Sequence, residues 1–131
     1  MESRFDPGAL LGRSYPLDDG ARVHLRVARP SDVAPIRGLF AREDDTKASA
    51  GADLEIARLV NFDPRERCVL TATALIDGGE RMVGVGSIRL DQDEPSPEAV
   101  IVDPEAPAGL QPLLAGALIG RAATLAHSRA A

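Results

Sequence analysis

The residues of this chain that most often carry out chemistry are few and lie far apart. Cys68 is the only cysteine, which excludes an internal disulfide, and its neighbours Val69 and Leu70 favour a small buried side chain. His24 and His127 have no cluster of Cys or His around them, so we interpret both as solvated histidines. The sequence therefore predicts no metal site.

Two short patterns resemble ligand-binding or nucleophile motifs only in part. Gly84 and Gly86 in VGVGSI lack the third glycine and the directly following helix of a dinucleotide-binding loop. Strand packing, or close approach by a ligand or a neighbouring strand, explains them better. Ser87 lies outside any GxSxG motif, which argues against a serine hydrolase. Several acidic residues lack the spacing of a calcium loop, and we interpret them as parts of solvated loops: Glu43, Asp44, Asp45, Asp91, Asp93 and Glu94.

Composition and charge exclude several classes of partner. The 131 residues are the usual size of one domain, and their 44% hydrophobic content is that of an ordinary soluble protein. The net charge of −5 is spread without a basic block, so we expect no nucleic-acid partner. No apolar run reaches the roughly 20 residues of a membrane span, and MESRFDPGAL lacks the pattern of a secretory signal. We therefore expect no membrane partner and a cytoplasmic location.

Hydrophobic periodicity predicts the elements in the first half of the chain. No periodicity is clear in residues 1–20, which we interpret as an irregular N-terminal arm ahead of a domain of residues 21–131. From Arg22, strict alternation of polar and apolar residues predicts a half-buried strand. Ser31 or Asp32 can cap a first helix, and Asp53 can cap a second. The expected apolar faces of these two helices are Ile36, Leu39 and Phe40, then Ile56, Leu59 and Val60.

The second half predicts a hairpin, a short strand and a long helix. Residues 68–76 and 81–90 are β-rich and are joined by DGGE, whose glycines can adopt the positive φ of a tight turn. Residues 99–102 form a short apolar strand, and residues 110–127 carry a helical stripe of alanine and leucine. The order of strand, two helices, three strands and helix predicts an α/β (α+β) domain.

Three strings at these places resemble the GNAT acetyltransferase superfamily over residues 22 to about 127. LRVARPSDVAPIRGLF is similar to the family's first strand and helix. FDPRERCVLTATALIDGGERMVGVGSIRL resembles its central hairpin, especially in bacterial protein lysine acetyltransferases. AVIVDPEAPAGLQPLL stands where the family has a strand, the turn that holds the CoA pyrophosphate, and the next helix. The resemblance implies a mixed, mostly antiparallel sheet flanked by helices, and transfer of an acetyl group from acetyl-CoA to an amine.

The same resemblance implies site residues. Glu98 matches the place of a glutamate that acts as general base toward the attacking amine. Its spacing to Val102 is one residue short of the family pattern, and a one-residue slip turns a side chain to the other face, so an exposed carboxylate at a strand start is the alternative. The residues that the resemblance assigns to acetyl-CoA are Val100, Ile101, Val102, Gly109, Leu110 and Gln111.

Two departures from the family pattern bear on activity. Of the Q/R-x-x-G-x-G/A pattern in the pyrophosphate turn only Gly109 matches, and Pro107 and Pro112 have no N–H for a phosphate, so we expect an impaired anion site. The chain ends at Ala131 where family members continue into another strand and helix, so we expect a fold that lacks both. The only tyrosine, Tyr15, lies ahead of the domain and does not match the family's general acid.

Two function hypotheses therefore stay open. One is an acetyltransferase with weak or lost activity, and the other is a non-catalytic ligand-sensing or protein-interaction module. Residues 99–102 carry no charge that would protect an unpaired strand edge, so we also expect a homodimer in which a second copy covers this strand.

Overall fold

A computed structural model gives the structure of residues 13–16, 22–43, 50–76 and 78–130. The strands are β1 (Arg13–Pro16), β2 (Arg22–Val27), β3 (Arg67–Ile76), β4 (Gly79–Arg89) and β5 (Pro97–Val102). The helices are α1 (Val33–Glu43), which follows a short 3₁₀ turn (Pro30–Asp32), α2 (Ala50–Val60) and α3 (Leu110–Ala130). This order confirms the predicted α/β (α+β) class, and the described part of the chain contains no strand after β5.

The five strands form one antiparallel sheet in the order β1-β2-β3-β4-β5. In the central hairpin Ile76 pairs with Gly79, so the connection between β3 and β4 is tight. Gly78 has a φ of +83°, which glycine adopts without strain. The predicted hairpin is confirmed, although β4 begins two residues before the predicted Arg81.

Strand β1 corrects the prediction that residues 1–20 contain no regular element. Arg13 pairs with Leu25 and Pro16 with Arg22, so β1 extends the sheet beyond β2. Four residues are too few to show an alternating pattern, and the strand ends at a proline that only an edge strand tolerates well. The rest of the predicted arm, residues 1–12 and 17–20, lies outside the described residues.

The sheet separates two hydrophobic layers. Alternate residues of β3 face opposite sides: Leu70 belongs to the layer under α3, and Val69 to the layer under α1 and α2. The predicted apolar faces of the two short helices are confirmed, because all of their members are buried. The largest is Phe40, and burying a side chain of this kind stabilises the fold by roughly 1.5–3 kcal/mol.

Helix α3 packs directly over two glycines of β4. A Cβ atom at Gly84 would stand 3.2 Å from Leu114 Cδ2, and one at Gly86 would stand 2.7 Å from Leu118 Cδ1. It would also stand 3.2 Å from the carbonyl oxygen of Ala99 in β5. Close packing therefore explains both glycines, with α3 as the main neighbour.

The helix starts differ from the predicted caps. The 3₁₀ turn has Arg29 as its N-cap, and Pro30 takes the first helical position that suits its fixed φ. Asp32 is therefore not the N-cap: it accepts hydrogen bonds from Arg26 (2.6 and 2.8 Å) and from the Arg29 N–H (2.7 Å). The Arg26 bonds lower the pKa of Asp32, against the opposing effect of burial.

Asp53 is likewise not a cap, because α2 already begins at Ala50. It stands in the first turn, where the helix dipole favours a carboxylate, and pairs with Arg37 at 3.0 Å. Both side chains are more than half exposed, so this pair contributes little to stability.

Candidate functional site

A bulge in β5 positions Glu98. Ser87 of β4 pairs with Ala99, but the next residue, Ile88, pairs with Pro97, which leaves Glu98 as an extra residue in β5. Such a bulge re-aims one side chain while the strand continues in register. It places the Glu98 carboxylate beside Arg67 and Ser87, on the α2 side of the sheet. The spacing from Glu98 to Val102, one residue shorter than in the family, argued against a catalytic role. The bulge lies within this stretch and changes the face of the sheet on which the Glu98 side chain lies.

The Glu98 carboxylate is held by two neighbouring strands. Arg67 donates from Nε to Oε1 at 2.7 Å and from Nη2 to Oε2 at 3.1 Å, and the Ser87 hydroxyl lies 3.3 Å from Oε1. The side chain of Glu98 is 31% exposed, so the group is neither buried nor freely solvated. An ionised carboxylate has about four acceptor sites, and three are used here. Within the described residues no fourth donor reaches this carboxylate, which leaves one site for a ligand N–H.

A cavity of about 220 Å³ opens beside this carboxylate. Glu55, Arg58 and Leu59 of α2 form one wall, and Glu98 with its neighbours forms the other. A carboxylate at the edge of such a cavity can hold a cationic amine, or can accept a proton from an attacking amine directly or through water. The sequence did not reveal Arg67 or Ser87 as partners of Glu98, because cross-strand neighbours depend on a register that the bulge alters.

Three of the residues assigned to acetyl-CoA, Val100, Ile101 and Val102, contribute their side chains to the core. Val100 and Val102 pack into the α3 layer, and Ile101 packs into the layer under α1 and α2. Their backbone groups on the side away from β4 are the ones that a ligand can reach, because β5 is the last strand of the described sheet. The assignment of these residues to acetyl-CoA stays a prediction.

The turn between β5 and α3 uses much of its own hydrogen-bonding capacity. The Ala106 N–H donates to the Asp103 carbonyl at 2.9 Å, and the Leu110 N–H donates to the Pro107 carbonyl at 3.3 Å. Gly109, with a φ of +91°, supplies the left-handed residue just before the helix. Of the three predicted amides at the helix start, Gly109 and Gln111 donate to no other backbone group in the described part of the chain, whereas that of Leu110 is occupied.

A buried carboxylate anchors the same turn. Asp103 is 2% exposed, pairs with Arg42 of α1 and accepts the Glu105 N–H at 2.8 Å. Arg81 of β4 lies 3.8 Å from this carboxylate and 2.7 Å from that of Glu105. Burial alone would raise the pKa of Asp103, but the Glu105 N–H and the two arginines outweigh it and lower the pKa. The nearest cations of this turn are therefore engaged by carboxylates of the protein.

The turn does not fit the pyrophosphate of CoA well. Phosphate binding at a helix start needs several free amides and no competing negative charge. Here the amides of Gly109 and Gln111 have no backbone partner in the described part of the chain, but the Leu110 amide is occupied and Pro107 and Pro112 have no N–H. The carboxylates of Asp103 and Glu105 also lie in the same turn.

The lone cysteine and the described histidine have surroundings that do not indicate a catalytic or metal site. Cys68 is buried, as predicted, and burial raises the pKa of its thiol while Arg121 opposes the effect. His24 is half-exposed on β2, and the side chain of His127 lies outside the described part. No three His, Cys, Asp or Glu side chains of the described residues are grouped as a metal site would require. Among the described helices, none has the length and hydropathy to cross a bilayer.

Comparison with solved structures identifies the architecture. The crystal structure of the GNAT domain of S. lividans PAT superposes with a TM-score of 0.67 and 18% sequence identity, over 86% of this chain and 72% of that chain. No protein-family model and no curated protein matches the sequence. At this identity the likeness concerns the fold alone, and it agrees with the strings that predicted it: the chain has a GNAT fold.

Proposed function

We propose that this chain is an acetyltransferase-like protein in which the cavity beside Glu98 receives an amine, while transfer of an acetyl group from acetyl-CoA to that amine is weak or lost. The GNAT fold supports the class of function. The observation that carries the proposal of weak activity is the turn between β5 and α3, where prolines and internal hydrogen bonds replace amides that a pyrophosphate would use.

The acceptor side offers one candidate for the general base. Glu98 lies at the edge of a cavity, is oriented by Arg67 and Ser87, and has an acceptor site left. An amine in this cavity would donate to the Glu98 carboxylate, which would take up a proton as the amine attacks.

The lost amides should lower the affinity for acetyl-CoA, the acetyl donor, by an amount that follows from the usual strength of such hydrogen bonds. A hydrogen bond to a charged group contributes about 1.5–3 kcal/mol, and each 1.4 kcal/mol changes a dissociation constant about tenfold. The missing N–H of Pro107 and the occupied N–H of Leu110 together correspond to a loss of roughly a hundredfold or more in affinity.

Titration calorimetry with acetyl-CoA tests the proposal. We expect a dissociation constant weaker than about 100 μM for the wild-type chain, given the loss estimated above. Pro107→Ala restores one amide near the helix start and should tighten binding, whereas Pro104→Ala adds an amide earlier in the same turn and should not. A wild-type dissociation constant in the low micromolar range would contradict the proposal.

A non-catalytic ligand-sensing or protein-interaction module is the second candidate. It is favoured by the same turn, because a protein without catalysis has no need to bind the donor. Release of the CoA thiol in the presence of a panel of amines separates the two candidates. Release that depends on Glu98 supports residual acetyl transfer, whereas no release at saturating acetyl-CoA means that transfer is lost and leaves the module as the function of the chain.

A further inference from the structure

A second cavity, of about 110 Å³, lies near the start of β3 and the C-terminal half of α3. Its apolar walls include Val27, Phe62 and Leu125, and Cys68 contributes its neutral thiol. Two charged side chains complete it, Arg67 and Arg121. The part of the cavity formed by the described residues is thus apolar with positive charge, and none of those residues contributes a carboxylate.

Arg121 provides the main indication of a ligand. Its Nε atom is buried and has no hydrogen-bond partner, and no ion pair of Arg121 is found within the described residues. Arg121 interacts with the Cys68 thiol by charge and by a hydrogen bond, and burial raises the pKa of that thiol. A buried charged donor without an acceptor is costly, and an anion in the cavity would supply that acceptor.

The guanidinium of Arg67, the second arginine of this cavity, already pairs with a carboxylate. It lines both cavities, and its Nε and Nη2 atoms donate to Glu98. The Glu98 carboxylate thus pairs with Arg67, and no carboxylate of the described residues forms an ion pair with Arg121.

The shape and the walls select the class of anion. A cavity of 110 Å³ has room for roughly four water-sized groups, at about 30 Å³ each. A carboxylate matches the planar fork of a guanidinium, and a short alkyl group would pack against Val27, Phe62 and Leu125. A phosphate would place additional charged oxygens against those apolar walls, at a desolvation cost that a carboxylate does not have.

We propose that this cavity binds a short aliphatic carboxylate, of the size of acetate or propionate, with its carboxylate on Arg121 and its alkyl group among the apolar walls. The site is separate from the turn between β5 and α3 and does not depend on acetyl transfer. It would give the chain a ligand to respond to even if catalysis is absent.

Titration of the full chain with sodium propionate at constant ionic strength, followed by NMR shifts and by the thermal midpoint, tests the site. We expect saturable binding, a raised midpoint, and shifts concentrated around Cys68 and Leu125. Propionamide, which has the same shape without the charge, should bind at least about tenfold more weakly because the ion pair is missing.

Variants connect the binding to Arg121. Arg121→Met keeps an unbranched stem and should weaken propionate binding by about tenfold or more, while Arg37→Met removes an exposed guanidinium on α1 and should have no effect. Arg121→Lys, which retains the charge but not the fork, should give intermediate binding and guards against misfolding of the methionine variant. Equal binding of propionamide, unchanged binding by a folded Arg121→Met, or no saturation at tens of millimolar propionate would each overturn the proposal.

Discussion

Because α3 packs closely against the sheet at Gly86, we expect one added methyl group there to destabilise the fold. In Gly86→Ala the new Cβ would lie 2.7 Å from Leu118 Cδ1 and 3.2 Å from the carbonyl oxygen of Ala99. Leu118 is fully buried, so its side chain cannot turn toward solvent, and the Ala99 oxygen belongs to the β5 backbone. Either α3 or β5 must therefore move by several tenths of an ångström.

The cost of that movement can be worked out approximately. Overpacking a well-packed core costs about 1–3 kcal/mol, and replacing glycine with alanine offsets about 0.4–1 kcal/mol by restricting the unfolded chain. We expect a net loss of roughly 1–2 kcal/mol in the free energy of unfolding. For 131 residues, with a shift of about 3–6 °C per kcal/mol, the thermal midpoint should fall by roughly 3–12 °C.

Urea unfolding and calorimetry measure both quantities, and Gly116→Ala is the matched control. Gly116 lies within α3 and an added Cβ meets nothing within 4 Å, so alanine there should stabilise by about 0.5–1 kcal/mol. In a Gly86→Ala/Leu118→Val double variant, shortening Leu118 should recover part of the loss, which a double-mutant cycle detects. A Gly86→Ala chain as stable as wild type would refute the packing described between α3 and β4.

Three further predictions concern the ion pair under α1, the candidate base and the sheet edge. Asp32→Asn leaves Arg26 without its buried partner and should cost about 3 kcal/mol in urea unfolding at pH 7. Because the pKa of Asp32 is lowered in the folded state, the loss in the free energy of unfolding caused by Asp32→Asn should be complete above the unfolded pKa of about 3.9. The loss should disappear as the pH falls through the folded pKa, and a loss that does not depend on pH would contradict this reasoning. If acetyl transfer is detected, Glu98→Gln should lower turnover about a hundredfold at neutral pH in the thiol-release assay, and an unchanged rate would remove Glu98 from the mechanism. We also propose that β5 pairs with β5 of a second copy, so light scattering should show a homodimer, and a chain that stays monomeric at high micromolar concentration would exclude it.

The sequence predicted the elements whose pattern is long and regular. The alternation after Arg22, the glycines of the hairpin turn and the helical stripe from Leu110 all correspond to observed elements. These patterns are local, because each records which side of one strand or helix is buried. The family resemblance supplied the sheet topology, which periodicity alone does not determine.

The site was less predictable because its geometry is not local. The bulge at Glu98 adds no unusual residue type, yet it decides which side chains meet the carboxylate. The pairing of Asp103 with Arg42 joins a residue of the turn after β5 to a residue of α1 that is far away in the sequence. The short strand β1 gave no pattern at all, because four residues ending in a proline look like part of a loop.

The turn between β5 and α3 shows why a missing amide here is more than a lost hydrogen bond. A phosphate at a helix start is attracted by amides and by nearby cations. In this chain the buried Asp103 carboxylate already neutralises Arg42 and accepts the Glu105 N–H, and its lowered pKa keeps it ionised at neutral pH. An external phosphate must therefore overcome the repulsion of an internal anion that cannot be displaced without leaving Arg42 uncompensated. Restoring an amide by replacing Pro107 addresses only the first of these two obstacles, so the gain in affinity expected from that variant is bounded by the charge of Asp103.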